Sequence, residues 1–414
     1  MVASITGMVS LAGGGIDGRV LQQLEHLGGS YRASSRIIRS NSAVIVVQTR
    51  PGSKTAGTEA LVEAPTMFAA DARLTNRDEL GTLISLSPAE RVSLRDGALL
   101  MRLYRRGPKA IAQALGAFAF VAWNESERRL VLGRDCLGER GLFYHIGDGF
   151  VVFASELNAL LALPVVPRTI NEEALANFVV LNIHRPSQTL YRGIERVPSR
   201  NLVTIDLGGA RCAPYWAPDF DAPPPYKRDE DYILRARELF DQAVLRATTD
   251  TPHVAISASG GLDSSAIAAT VARLGHAQSI TCFTLVPPRD TLLDVGASHY
   301  LTERDKVEAL ARMYAGLKVE YCEEGPLHPF EEDPARYFAL AGQPARNGAN
   351  LGAFSLLTDR TREAGHSVAL IGTQGNFGLT WTGRFALLAL LRQGQLAALI
   401  REFHAVSRQS GRGV

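Results

Sequence analysis

Apolar positions in the first half of the chain come in short, closely spaced runs, at 44–48, 118–123, 130–133, 142–145 and 150–153, parted by Gly and Asp. Runs of that length between turn residues predict strands. Over 155–161 and 172–181 the spacing lengthens to the helical period, and helices are predicted there instead. The expected fold of this half is α+β, stacked sheets with helical cover.

Pro214, Pro218 and the run Pro223, Pro224, Pro225, followed by the charged stretch 227–231, interrupt both periods. A boundary is expected there, giving domains at 1–210 and 231–414 with a linker at 211–230. Beyond it Ile233, Ala236, Phe240, Ala243 and Ala247 fall at helical spacing. A strand at 253–257, a glycine turn and a helix through Leu274 come next. Strands at 279–286, 318–322 and 367–371 then alternate with helices at 303–314, 353–363 and 385–400. That alternation predicts an α/β domain, a doubly wound parallel sheet covered on both faces.

Composition narrows the partners. With 46% hydrophobic residues and a net charge of +2, the chain is neither disordered nor collagen-like and has no cationic surplus for tracking a phosphate backbone. No nucleic-acid partner is expected. The cysteines, Cys136, Cys212, Cys282 and Cys322, are scattered without C-x-x-C pairs, as in a reduced compartment. No apolar run is long enough to span a bilayer; the stretch 386–400 is broken by Arg392, Gln393 and Gln395. No Lys or Arg precedes Arg19, so no secretory signal is expected. The expected location is cytoplasmic, with no membrane partner.

The chemistry concentrates in Ser259-Gly260-Gly261-Leu262-Asp263-Ser264-Ser265, between a strand and a helix. Two glycines let the backbone approach an anion, and the helix start adds unpaired N–H groups and the positive end of its dipole. Ser259, Ser264 and Ser265 add hydroxyls. Neither the Walker loop nor the dinucleotide fingerprint fits, because the Gly-Lys-Ser/Thr and the third glycine are missing. Asp263 would repel a phosphate unless a cation sat between them, which implies Mg2+. A plain strand-to-helix turn with Ser or Asp as cap is the other reading of the same residues.

This loop resembles the ATP-pyrophosphatase loop of the asparagine synthetase family. Four N-terminal segments, at 116–123, 134–144, 153–161 and 191–198, are similar to that family's glutaminase-type domain. The resemblance implies an N-terminal nucleophile-type glutaminase fold followed by an adenine nucleotide α-hydrolase-like domain. It implies an ATP- and Mg2+-dependent ligase that turns a carboxylate into an acyl-adenylate, releases pyrophosphate, and lets an amine displace AMP. Ser259, Gly260, Gly261, Leu262, Asp263 and Ser264 would hold the pyrophosphate, with Asp263 and Ser259 as catalytic groups and Asp263 on the metal. Ala258, Leu285, Gly372 and Thr373 would line the nucleotide pocket, although Leu285 reads equally well as a core residue.

Three departures refine the expectation. Position 2, where such glutaminases carry their cysteine, is Val2, and the glutamine-gripping motifs look absent around 31–39 and 69–73, so no glutamine hydrolysis is expected. The stretch Ile371-Gly-Thr-Gln-Gly-Asn-Phe-Gly-Leu-Thr-Trp381 lacks the usual acids, since Gln374, Asn376 and Phe377 bring no charge. It looks more like the macrolactam-forming members that close lasso peptides. The third departure is that no lysine follows Lys318, leaving Arg384, Arg392 or Arg401 to supply the charge; the second domain is expected to be incomplete or impaired. The substrate is then a carboxylate of aspartate or of a precursor peptide, with a leader-peptide protease or precursor-binding protein as a further partner. Asn347, Asn350 and His328 are candidate substrate contacts, with an Asn347-Gly348 turn as the plainer reading. A relative that binds nucleotide without turnover is the competing class.

Overall fold

The computed structural model describes residues 4–29, 34–49, 57–182, 185–219, 222, 225–249, 251–287, 303–323, 338, 341–344, 351–366, 368–375, 378–381, 383 and 385–409. Val2, His328, Asn347, Asn350, Asn376, Phe377 and Arg384 lie outside these. The chain divides into two compact units, Met1–Pro224 with Leu327–Gly352, and Pro225–Pro326 with Ala353–Val414.

The first unit is built from β1 (Ser4–Ser10), β2 (Ser34–Arg39), β3 (Ala43–Thr49), β4 (Gly57–Glu63), β5 (Thr66–Leu74), β6 (Gly116–Asn124), β7 (Arg129–Arg134), β8 (Phe143–Ile146), β9 (Phe150–Ala154), β10 (Ile194–Arg196), β11 (Asn201–Asp206) and β12 (Gly209–Pro214). They pair into two six-stranded sheets, in the orders β10-β8-β9-β1-β3-β2 and β12-β11-β7-β6-β5-β4. Neighbours run antiparallel throughout.

Side chains alternate across each strand, so each sheet has two apolar faces to bury. Ile5, Val9, Ile45 and Val47 of one sheet meet Met67, Ala69, Val121 and Trp123 of the other. The opposite face of the second sheet, with Phe68, Phe118 and Phe120, packs on Leu80, Leu99, Leu100 and Leu103 from the helices Arg77–Leu83 and Asp96–Arg106. Met8, Val44 and Val152 on the first sheet's outer face cover Val20, Leu24, Leu157 and Leu160. The result is helix, sheet, sheet, helix, the stacked arrangement expected.

Residues from far along the chain belong to this unit as well. The Tyr191 hydroxyl donates to the Gly342 carbonyl at 3.2 Å, and Asn158 Nδ2 donates to the Phe338 carbonyl at 3.3 Å.

The second unit holds a four-stranded parallel sheet, β13 (His253–Ser257), β14 (Ser279–Val286), β15 (Leu317–Glu323) and β16 (Ala369–Ile371), in the order β15-β14-β13-β16. Val254 and Ile256 of β13 pack with Val244, Ala268, Val271, Val307 and Leu310 from helices on one face. Ala255 turns to the other face, against Phe283, Cys322 and Leu357. Burial on both faces is why β13 reads as a continuous apolar run. The helix expected over 385–400 is two helices, Ala386–Arg392 and Leu396–Gln409, because Gly394 between them takes a φ of +69°. None of the helices among the described residues is long and apolar enough to cross a membrane.

Candidate functional site

In the second unit, successive strands step from β13 to β14 to β15, and the chain then returns to the other side of β13 with β16. The strand order reverses at the β13/β16 pair. In open parallel sheets, ligands bind beyond the carboxyl ends of the strands at such a reversal. Ser257, the last residue of β13, pairs with Ile371, the last of β16, so the loops that follow start side by side.

The first of these is the serine–glycine loop. Ala258 is buried, and its N–H donates to the Phe283 carbonyl at 2.9 Å, which extends the sheet by one residue. Gly260 has a φ of +64°, and Gly261 caps the helix Leu262–Leu274 with no side-chain cap bond. The capping reading therefore does not account for Asp263, which sits inside the first turn. Ser264 is buried, and its hydroxyl acts as a clasp: it accepts from the Ser259 N–H at 3.0 Å and lies 3.1 Å from Ser259 Oγ. Ser259 itself is exposed, and Leu262 is 80% exposed. What remains to face a ligand is the helix start, where the first N–H groups have no intrahelical acceptor, beside the exposed Ser259 hydroxyl.

The second loop grips Asp263. Thr380 donates its hydroxyl to Asp263 Oδ1 at 2.8 Å. Gly375 lies against the same carboxyl group so closely that a Cβ there would stand 2.1 Å from Cγ. A Cβ on Gly372 would meet the Ser264 backbone N at 2.9 Å, so this predicted residue does lie on the glycine loop. Thr373 and Gln374 are exposed at the tip, Gln374 with a φ of +72°. Leu285 sits near the end of β14, half-buried against Ala255, Phe283, Cys322 and Leu357, as its core reading has it. The structure thus gathers Ala258 to Ser264 with Gly372 and leaves Leu285 packed in a core.

Two residues that the sequence reading did not single out adjoin Gly260. A Cβ on that glycine would lie 2.7 Å from Lys306 Cβ, 3.1 Å from Lys306 Cδ and 2.8 Å from Glu303 Oε2. Both belong to the first turn of the helix Arg304–Met313 and its cap. Glu303 Oε2 is buried with no hydrogen-bond partner. The sequence pattern gave only a helix over 303–314, which says nothing about what each of its faces meets. Asp263, held by Thr380, and Glu303, with its orphaned oxygen, are the two carboxylates that adjoin these loops and could serve a divalent cation; among the described residues no cluster of three or more such ligands forms.

In the first unit, Asp135 organises a segment that resembled the family. Its carboxylate accepts from the N–H groups of Leu137 and Glu139 at 3.0 Å, Arg140 at 3.1 Å and Phe118 at 3.2 Å. The turn it fixes sends Arg140 towards the buried Asp71, with Nε 3.3 Å from Oδ1. Burial pushes the Asp71 carboxyl up to about 6, the arginine opposing, and Oδ2 has no hydrogen-bond partner. Thr58, its cross-strand neighbour, also has an unpartnered buried hydroxyl.

Residues 76–216 match the glutamine amidotransferase domain model, and residues 235–314 match that of asparagine synthase. In these two segments, and in that order along the chain, the protein is similar to the asparagine synthetase family. The second match takes in the glycine loop, Glu303 and Lys306, whereas Gly372, Gly375 and Thr380 lie beyond it. Among curated relatives, asparagine synthetase [glutamine-hydrolyzing] 3 of Bacillus subtilis (strain 168) is 32% identical over 162 residues, 39% of this chain and 26% of that protein. Amidase chyE of Penicillium rubens is 28% identical over 229 residues, 50% of this chain and 32% of that one. The chain therefore spans about a quarter to a third of the length of these curated relatives. Among solved structures, a Bacillus subtilis glutamine phosphoribosylpyrophosphate amidotransferase is similar at a TM-score of 0.35 and 12% identity, covering 92% of this chain and 93% of that one.

Proposed function

We propose that the second unit uses ATP to make an amide bond. A substrate carboxylate oxygen attacks the α-phosphorus, the bond to the β-phosphate oxygen breaks, and pyrophosphate leaves. An amine nitrogen then attacks the acyl carbon, loses a proton, and AMP departs with the bonding pair. The helix start at Leu262 and the Ser259 hydroxyl hold the pyrophosphate, and Ser264 keeps the loop closed around it. Ala258, Gly372 and Thr373 border the nucleotide. Asp263 and Glu303 would hold Mg2+, which when bound neutralises phosphate charge. The observation that carries this reading is the Thr380–Asp263 bond at the strand-order reversal, where the acid is oriented by a hydroxyl.

The amine is the substrate's own in this reading, and the first unit is a scaffold without glutamine hydrolysis. Val2 stands where a cysteine nucleophile is needed. The order Gly375-Asn376-x-x-x-Thr380-Trp381-x-Gly383 supports a macrolactam-forming ligase acting on a peptide carboxylate, and its threonine is the residue bonded to Asp263. Asparagine formation from aspartate is the second reading, favoured by the glutamine-hydrolysing relative.

The test is exchange of labelled pyrophosphate into ATP with Mg2+ and either aspartate or a candidate precursor peptide. Exchange is expected with the peptide and lost in Asp263→Ala, and glutamine should yield no glutamate. Normal ATP binding without exchange on any carboxylate would overturn the ligase reading.

A further inference from the structure

A pyrophosphate held only by N–H groups and a hydroxyl leaves most of its charge uncompensated, and one divalent cation removes two units of it. A departing diphosphate of this kind calls for a fixed cationic side chain beside the glycine loop. We infer that Lys306 is that cation: its ammonium binds the β- and γ-phosphates and stabilises pyrophosphate as it leaves. The inference rests on the ATP reading of the loop.

The placement is specific. The aliphatic stem of Lys306 runs alongside Gly260, with the ammonium two bonds past the Cδ that borders the glycine. Gly260 has no Cβ and adopts a positive φ, and a side chain there would displace this stem. Its neighbour in the same turn, Arg304, is stacked 4.1 Å over the Tyr321 ring and lies 3.1 Å from Glu323. Lys318 lies near the start of β15, at the end of the sheet opposite the loops, and Lys227 precedes the helix Asp229–Thr248. The helix carrying Lys306 begins at the carboxyl end of the sheet, so its dipole adds to the lysine's charge there. The orphaned Glu303 Oε2 beside the same glycine is a second sign that something outside the chain completes this spot, since a buried unpaired carboxylate oxygen is costly.

The experiment is calorimetric titration of the full chain with AMP and with the imido analogue of ATP, both with Mg2+. Lys306→Met keeps the stem that packs on Gly260 and removes the charge. It is expected to weaken the ATP analogue roughly 10- to 100-fold while leaving AMP within about twofold. Lys306→Arg should fall between, and Lys318→Met should match the native chain. Equal weakening of both nucleotides, or none of either, would overturn the assignment to Lys306. A native chain that bound neither nucleotide would overturn the ATP reading, and this inference with it.

Discussion

Thr380 and Asp263, 117 residues apart in sequence, meet through a 2.8 Å hydrogen bond from hydroxyl to carboxylate. That bond fixes one carboxylate oxygen, and both oxygens lie against Gly375. Thr380→Val keeps the shape and removes the donor, so pyrophosphate exchange should fall about tenfold, a loss of about 1–2 kcal/mol, with little change in melting temperature. An unchanged rate would mean that Asp263 needs no orientation.

Gly375 and Gly378 share one turn but meet different surroundings. A Cβ at Gly375 would lie 2.1 Å from Asp263 Cγ, whereas among the described residues one at Gly378 would meet the Gly375 carbonyl at an ordinary 3.7 Å. Gly375→Ala should displace the acid and cut exchange at least tenfold, while Gly378→Ala should stay within about twofold of native. Parallel rate measurements on the two variants check this.

Asp71 ties the first unit to pH. Its carboxyl sits above its unfolded value, so folding favours the protonated form. The stabilisation is present in full below about pH 4 and is lost as pH rises through about 6, amounting to something on the order of 3 kcal/mol. Urea unfolding between pH 4 and 8 should show this slope, and Asp71→Asn should flatten it.

Asp135 accepts four backbone N–H groups, so Asp135→Ala should destabilise the first unit by about 3 kcal/mol or more. Asp135→Asn, which keeps two acceptor lone pairs on one oxygen, should recover part of that in the same unfolding assay.

How much of this the sequence showed depends on the kind of contact. The glycine loop, β13 and the helix after it were legible because their chemistry is local: an apolar run, two glycines, then a helical face. β1 was not, because it is buried on both faces yet carries Thr6, Gly7 and Ser10, so no alternation of polarity marks it. The break at Gly394 was hidden by apolar residues on both sides, which keep the helical spacing across it. Asp263 could be named from its motif, but its clamp could not, because Thr380 reaches it only through the strand-order reversal. Lys306 was one charged residue on a helix surface until the fold brought Gly260 against it.

The Tyr191–Gly342 contact bears on how the polypeptide is made. A ribosome must deliver residues well past the whole of β13 to β15 before the N-terminal sandwich acquires the Phe338 and Gly342 acceptors. The two halves therefore mature out of strict order of synthesis, and a gene truncated at the proline-rich stretch would encode a sandwich whose Tyr191 hydroxyl and Asn158 amide lack these partners.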